Sequence, residues 1–195
     1  MQLKSTRLYG LVAGLLCLTL SLASCGAKRQ VSYKPKPSTG KVLSDASDAR
    51  GLDMNGSKLE NYAHILGVSV RELNNKQLYN FVDEWMGSPH KMGGAMKSGI
   101  DCSKFVGILY EQVYRASLPR RSEEMGEQVK RKYERDLKEG DLIFFSFGGK
   151  TIDHVGVYLK NNKFVHVSSK RGVIISNIKD SWYYKYFVRA GTPKI

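Results

Sequence analysis

Apolar residues recur with a helical period in the first part of the chain and change to strand-like runs near its C-terminal end. Segments 57–66 and 75–86 have the spacing of amphipathic helices. Asn74 or Asn75 can cap the second of these helices, and Gly87 is positioned to stop it. Two successive helices are therefore predicted before any strand.

A third helix is predicted to begin after Asp101, which is a residue type that caps helix N-termini well. Phe105, Leu109 and Val113 follow at four-residue intervals and line one face. Segment 118–120, which contains a proline, is predicted to end this helix.

Beyond a polar stretch at 122–135 that can form helix, and a turn at 138–141, the pattern changes to short β-branched and aromatic runs. The predicted strands are 142–147, 155–159, 163–167, 173–178 and 187–190. Helices followed by an antiparallel meander predict an α+β domain, with the helices on one side of a sheet of about five strands.

The N-terminal region has the composition of a targeting segment. A basic start precedes an apolar run at 8–22, which at about 15 residues is too short to span a membrane comfortably. Leu22–Cys25 then resembles the lipobox of bacterial lipoproteins, where the signal is cut before a cysteine that becomes acylated. We expect a signal at 1–24 and a lipid-anchored protein beginning at Cys25; an ordinary signal peptide cut nearby is the alternative.

Residues 25–56 form the expected lipidated N-terminus and flexible tether, because this stretch is polar and has few large apolar groups. Residues 57–195 remain for one domain with its own core. We expect a monomer in the cell envelope that faces the periplasm or the cell wall.

The net charge of the chain is +13. Loss of Lys4 and Arg7 with the signal leaves 29 basic and 18 acidic side chains, a net charge of about +11. Such an excess favours polyanionic partners. Export and the lack of a basic-aromatic RNA motif argue against nucleic acid, so a cell wall or an anionic membrane surface fits better.

Cysteine usage isolates one thiol. Cys17 leaves with the signal and Cys25 is consumed by lipid, which leaves Cys102 unpaired in an oxidising compartment. A buried structural cysteine is one explanation. The other is a nucleophile whose base and orienting group are His154 and His166, far downstream.

The position of Cys102 favours the second explanation. As the first residue of the helix capped by Asp101, it would meet free backbone N–H groups and the positive end of the helix dipole, which favour the thiolate. A backbone N–H of that turn could also face the oxygen of a tetrahedral intermediate.

The two histidines impose a condition on the hairpin that joins their strands. A plain two-residue turn at 161–162 would place His154 and His166 on opposite faces of the ladder. For both to face Cys102, the connection needs an odd loop or a bulge, centred nearer Lys160. His154 would then take the thiol proton, and His166 would fix its tautomer.

Six segments occur in order along the chain: 87–94 (GSPHKMGG), 100–106 (IDCSKFV), 118–120 (LPR), 140–145 (GDLIFF), 154–158 (HVGVY) and 163–169 (KFVHVSS). They resemble the NlpC family of bacterial cell-wall cysteine peptidases, and the similarity covers about residues 75–190. The resemblance implies a papain-like fold and hydrolysis of peptide bonds in peptidoglycan stems. It also implies Cys102 as nucleophile, His154 as base and His166 as the third polar residue.

Two positions depart from the family pattern. His90 stands twelve residues before the cysteine, where the family usually has a Tyr thought to help hold the oxyanion. A histidine N–H can donate a similar bond, so His90 is a candidate for that role or for lining the cleft. Lys104 stands where Gly commonly follows Cys-Ser.

Side chains that could bind the carboxylates of a stem peptide complete the set of candidates: Ser103, Arg120, Arg121 and Lys170. Asp141 is expected to shape its turn. No cofactor is expected. A zinc site at Cys102, His154 and His166 is disfavoured because the three lie far apart in sequence without a paired ligand spacing.

The sequence therefore predicts a lipid-anchored cysteine endopeptidase that opens peptidoglycan stem peptides. The bond could be the D-Ala–diaminopimelate cross-link or the γ-D-Glu–diaminopimelate bond within one stem. Alternatives are a non-catalytic wall-binding lipoprotein on a degenerate peptidase fold, or a papain-like acyltransferase or amidase. An exposed, stem-sized groove favours the peptidase, and a closed apolar tunnel favours the acyltransferase.

Overall fold

A computed structural model describes residues 56–195 of the chain. The expected signal at 1–24, the lipidation site Cys25 and almost all of the tether at 25–56 lie outside the described residues. None of the helices within 56–195 is long and apolar enough to cross a membrane.

Five α-helices and eight strands make up the described part. The helices are α1 (Gly56–Leu66), α2 (Lys76–Trp85), α3 (Cys102–Leu109), α4 (Ser122–Glu127) and α5 (Ser181–Tyr186). The strands are β1 (Ala95–Met96), β2 (Gly99–Ile100), β3 (Val129–Arg131), β4 (Leu142–Phe145), β5 (His154–Tyr158), β6 (Lys163–Ser168), β7 (Gly172–Asn177) and β8 (Phe187–Pro193). The predicted α+β class is confirmed.

The main sheet has six strands in the order β3-β8-β4-β5-β6-β7, and every neighbouring pair is antiparallel. Strands β4 to β7 form the predicted meander. The last strand does not continue it, because β8 returns to pair with β4 and β3. Strand β3 was not predicted, since its three residues carry two exposed cations and no apolar alternation.

Helices cover both faces of this sheet, so the expectation of helices on one side only is wrong. Side chains alternate between faces along each strand. One face packs against α1, α2 and α3 through residues such as Val155 and Val165. The other face carries Phe145 and Phe164 and packs against Tyr183 of α5, a helix that was not predicted. Its run of aromatic residues has no apolar period to distinguish it from a strand.

The ends of the predicted helices are mostly those observed. Asn75, not Asn74, caps α2 by accepting a hydrogen bond from the Leu78 N–H at 3.0 Å. Helix α3 continues as a π-helical turn and ends at Arg115, whose φ of 56° is left-handed. It therefore stops before segment 118–120, which the sequence pattern had assigned as its end.

Candidate active site

The start of α3 is fixed by the carboxylate of Asp101. Its Oδ1 accepts hydrogen bonds from the Lys104 N–H at 2.8 Å and the Ser103 hydroxyl at 3.1 Å. Its Oδ2 accepts from the Gly93 N–H at 3.0 Å. The predicted N-cap is confirmed, and it also ties the glycine turn before the helix to the turn that presents Cys102.

Cys102 is the first residue of α3, as predicted, and its side chain is half-buried. Burial is the largest influence and raises the pKa of the thiol, although backbone N–H groups of Val155, Ser103 and Cys102 itself oppose the rise. The expectation that the helix start favours the thiolate is therefore outweighed by desolvation. Burial therefore favours the neutral thiol of Cys102.

The hairpin that carries the two histidines has an odd connection. Gly156 pairs with His166 and Tyr158 pairs with Phe164, which leaves the three residues 160–162 as the loop. Asn161 and Asn162 both have positive φ. The predicted odd loop is confirmed, and it places His154 and His166 on the same face of the sheet.

The two imidazoles meet directly. His154 Nε2 lies 2.9 Å from His166 Nδ1, and the rings are perpendicular at 87°. His154 is half-buried at the start of β5, and His166 is 2% exposed within β6. The backbone of the adjoining residue Val155 acts to lower the pKa of Cys102, so the same end of β5 influences the thiol and carries a histidine.

Burial keeps this histidine pair uncharged. Desolvation lowers the pKa of His154 to about 4, against a partial rise from the charge of Asp153. Desolvation also lowers the pKa of His166 well below its usual range, and neighbouring His154 and Arg171 add to this effect. Neutral imidazole can accept a proton, which is the state required of a general base.

A glycine makes the close approach of the rings possible. A Cβ atom at Gly156 would lie 2.8 Å from Phe164 Cδ2 and 3.1 Å from His166 Cβ. Both distances are too short for ordinary packing, so a larger residue at this position would push His166 out of place. A glycine inside a strand pattern is a sign of close approach. Gly156 is therefore a signal in the sequence that could have indicated this contact.

His90 forms a parallel bridge with Ile100, two residues before Cys102. It is close enough to His154 to contribute to the lowered pKa of that imidazole. His90 is therefore near His154 and near the start of α3, and its role at the cleft stays a prediction.

The four substrate-binding candidates do not converge. Ser103 and Arg120 both line a cavity of about 340 Å³ next to the start of α3, together with Lys104 and Glu111. Arg121 instead pairs with Glu123 at 2.8 Å. Lys170 lies in the exposed turn between β6 and β7 and is not among the residues that line this cavity.

Three further polar residues at the site were missed by sequence reasoning. Ser176 Oγ and Tyr183 Oη lie 3.0 and 3.1 Å from His166 Nε2. Asp153 accepts hydrogen bonds from the N–H groups of Phe147 and Gly148 at 2.9 and 2.5 Å, directly before His154. Neither Ser176 nor Tyr183 lies in one of the six segments that carry the family resemblance, so no motif pointed to either residue.

A cysteine at the N-terminus of a helix, with a histidine pair at the end of an adjoining antiparallel sheet, defines a papain-like cysteine peptidase. Residues 87–192 match the NlpC/P60 family. The chain belongs to this family, which confirms the resemblance drawn from its six ordered segments.

Relatives of known sequence extend the match over most of the chain. A probable endopeptidase NlpC homolog of Haemophilus influenzae is 35% identical over 178 residues, which are 88% of this chain and 91% of the relative. The murein DD-endopeptidase MepS/murein LD-carboxypeptidase of Escherichia coli K12 is 32% identical over 178 residues, 90% of this chain and 87% of the relative.

The fold is shared with solved structures. A crystal structure of an NlpC/P60 family protein from Bacillus cereus matches with a TM-score of 0.55 and 26% sequence identity. The match covers 60% of this chain and 39% of that protein. The papain-like arrangement of helices on an antiparallel sheet is therefore confirmed.

Proposed function

We propose that the protein is a peptidoglycan hydrolase, a cysteine endopeptidase that cuts the stem peptides of the cell wall. The NlpC/P60 domain and a relative named as a murein endopeptidase over 87% of its own length support this substrate class. Cys102 acts as nucleophile, His154 as base and His166 as the residue that orients His154.

The contact between His154 Nε2 and His166 Nδ1 at 2.9 Å carries the assignment of roles. Because Nε2 of His154 is occupied by this bond, Nδ1 is the nitrogen left to accept the thiol proton. His154 begins β5, and the backbone of the next residue, Val155, acts to lower the pKa of Cys102. These observations support Cys102, His154 and His166 as nucleophile, base and orienting group of one site.

Acylation follows from this arrangement. The Cys102 sulfur attacks the carbonyl carbon of the scissile peptide while its proton passes to His154 Nδ1. Backbone N–H groups at the start of α3 and the side chain of His90 are our candidates for stabilising the oxyanion. When the tetrahedral intermediate collapses, the C–N bond breaks and His154 returns the proton to the leaving amine, which leaves a thioester on Cys102.

Hydrolysis completes the cycle. A water molecule gives a proton to His154 Nδ1 and attacks the thioester carbonyl carbon, and the C–S bond then breaks. The thiolate recovers its proton from His154, and the new carboxylate leaves. Ser103 and Arg120, which line the cavity beside α3, are positioned to bind carboxylates of the stem peptide.

Digestion of purified sacculi by the chain from residue 26 onward tests the function. Resolution of the products by mass separates the two candidate bonds, because cross-link cleavage releases monomeric stems and intra-stem cleavage shortens them. Cys102→Ala and His154→Ala should each abolish the product. His64→Ala is the matched control, since His64 is exposed on α1. Absence of any Cys102-dependent product would exclude the peptidase.

We also propose that Cys25 carries lipid and anchors the mature protein to a membrane of the cell envelope. The lipobox-like Leu22–Cys25 after a basic and apolar start supports this placement. Metabolic labelling with a radioactive fatty acid tests it: the wild-type chain should be labelled and found in the membrane fraction, and Cys25→Ser should lose the label. Equal labelling of both would refute the proposal.

A further inference from the structure

The nitrogen of His166 that faces away from His154 has two hydroxyl partners from different elements. Ser176 Oγ of β7 lies 3.0 Å from His166 Nε2, and Tyr183 Oη of α5 lies 3.1 Å from it. The two hydroxyls also contact each other, with Ser176 donating to Tyr183 at 3.3 Å. Ser176 is 7% exposed and His166 is 2% exposed, whereas Tyr183 is partly exposed.

We propose that Ser176 and Tyr183 are positioning residues that hold the proton of His166 on Nε2 and thereby set the tautomer of the base. The inference deepens the proposed function, since it rests on His154 acting as base toward Cys102. It extends the line of contacts by one step, from His154 through His166 to a pair of hydroxyl groups.

The positions of the ring protons are linked from His154 to His166. His154 Nδ1 must be unprotonated to accept the thiol proton, so the neutral ring carries its proton on Nε2. That N–H donates to His166 Nδ1, which must therefore be unprotonated as well. The single ring proton of neutral His166 then sits on Nε2, where it needs an acceptor. Ser176 and Tyr183 supply two hydroxyl oxygens at that position.

Without these oxygens, the tautomer of His166 that is protonated on Nδ1 would become more populated. His166 with its proton on Nδ1 would donate to His154 Nε2, and His154 would then carry its proton on Nδ1. A base in that tautomer cannot accept the proton of Cys102. Because Ser176 donates its own hydroxyl proton to Tyr183, its oxygen is the acceptor at His166 Nε2. Without the hydroxyls, an Nε2–H of His166 would be buried with no acceptor, whereas an Nδ1–H would still donate to His154, so the hydroxyls favour the first tautomer without touching the substrate.

Uncharged partners suit this setting. The ring of His166 stacks on Phe164 with centroids 4.8 Å apart and meets the ring of Tyr183 at 5.2 Å. Among the described residues, no carboxylate forms a hydrogen bond with His166. Two hydroxyls can accept the N–H in this apolar surrounding without adding a buried charge.

Kinetics of Ser176→Ala, Tyr183→Phe and the double variant test the proposal. We expect kcat to fall by about 10-fold to 100-fold in the double variant, as for the loss of other groups that orient a functional histidine. KM should be unchanged, because the hydroxyls act on the base and not on the substrate. Ser176→Thr, which restores a hydroxyl, should retain most of the activity.

Two matched controls remove a hydroxyl elsewhere. Ser146→Ala removes a buried Oγ that has no hydrogen-bond partner within residues 56–195. Tyr184→Phe removes the hydroxyl of the neighbouring, half-exposed tyrosine of α5. Both should keep wild-type kcat. Thermal unfolding of every variant shows whether a loss of activity reflects a loss of fold.

Nitrogen-15 NMR of the histidine rings provides a readout that does not depend on turnover. In the wild-type chain, His154 and His166 should both show protonated Nε2 and unprotonated Nδ1. The double variant should shift both rings toward protonated Nδ1. Unchanged tautomers in a folded double variant would overturn the proposal even if kcat had fallen, because packing alone would then explain the loss.

The same spectra separate this inference from the proposed function. If the wild-type chain shows the expected tautomers, and the variants shift them, while sacculi are not cleaved, the positioning role stands and the peptidase assignment fails. If sacculi are cleaved and neither kcat nor the tautomers respond to the double variant, the peptidase stands and the positioning role fails.

Discussion

The charge states of Cys102 and His154 set how the site works. Burial raises the pKa of the thiol and lowers the pKa of the imidazole, so both groups are neutral before substrate attack. In the proposed mechanism, the thiol proton therefore passes to His154 during attack. A half-buried thiol kept in this form is also protected from oxidation, which proceeds through the thiolate.

The pH dependence follows from His154. Since its pKa is lowered to about 4, the base stays neutral and competent well below the ordinary value of 6.5 and is lost as the pH falls through about 4. We expect the acid limb of kcat/KM, measured with a soluble stem peptide, to have its midpoint near that pH. A midpoint near 6.5 would contradict the effect of burial.

The free energy of unfolding must be measured over the same pH range as the activity. The unfolded chain protonates its histidines at their ordinary pKa, whereas the folded chain binds these protons only at lower pH. The unfolded state therefore binds more protons as the pH falls below about 6.5, and the free energy of unfolding falls with it. Urea unfolding at each pH distinguishes a titrated base from a lost fold.

His90 offers a second test at the scale of single residues. If its N–H stabilises the oxyanion, His90→Ala should lower kcat by about 10²-fold to 10³-fold, the usual cost of one such donor. His90→Tyr should retain much of the activity, because the hydroxyl can donate from the same position. Equal activity of the alanine and wild-type proteins, measured on sacculi, would reduce His90 to a residue that lines the cleft.

At the scale of elements, the loop between β5 and β6 decides whether the histidines can meet. Side-chain direction alternates at every residue of a strand, so the parity of the connection fixes which residues share a face. The three-residue loop at 160–162 gives the required parity. Two consecutive residues with positive φ close it, and Asn is among the few types that adopt this conformation readily.

Deletion of Asn162 tests the parity. A two-residue loop would force His154 and His166 onto opposite faces or shift the register of the hairpin, so we expect loss of Cys102-dependent hydrolysis. Asn162→Gly is the control: it keeps the loop length and suits the φ of 60°, so it should remain active. A fully active deletion variant would show that the shared face is not required.

The start of α3 is the second element that builds the site. Asp101 connects the turn at Gly93 with the first turn of the helix through three hydrogen bonds. The sequence indicated both the cap and the place of Cys102, because an Asp before an amphipathic run is a local pattern. The raised pKa of the thiol was beyond that reasoning, since it depends on what packs over the cysteine.

At the scale of the whole molecule, one sheet divides two apolar clusters and brings the parts of the site together. Helix α3 contributes the thiol at its first residue, and strands β5 and β6 contribute the histidine pair. Asp141, which is 3% exposed, lies directly before β4 on the side of the sheet where β8 and β3 pair. It accepts hydrogen bonds from Lys132 Nζ at 2.8 Å, the Lys138 N–H at 2.7 Å and Thr192 Oγ1 at 2.6 Å.

Asp141 thus shapes its turn, as predicted, and also joins β4 to β8 and to the residue after β3. Asp141→Ala leaves the ammonium of Lys132 without its partner in a largely buried place, so we expect unfolding to become easier by about 3 to 5 kcal/mol. Chemical denaturation measures this loss. Lys130→Ala, an exposed cation of β3, should change stability far less. A comparable loss in both variants would contradict a specific role of Asp141.

The features of this protein that depend on a local sequence pattern could be predicted from the sequence alone. Periodicity, capping residues and ordered motifs act over short distances. They were sufficient to predict helices α1 to α3, the meander from β4 to β7, the cap at Asp101 and the family resemblance. The requirement for an odd loop could also be derived, since strand parity is a matter of counting.

Contacts between segments that are distant in sequence could be identified only in the tertiary structure. The insertion of β8 beside β4, the placement of α5 and the approach of Ser176 and Tyr183 to His166 join residues that are distant in sequence. The pKa directions of Cys102 and His154 depend in the same way on burial by distant segments. The sequence pointed to Cys102, His154 and His166 as candidates, and the packed fold favours their uncharged forms, because desolvation arises only where the segments meet.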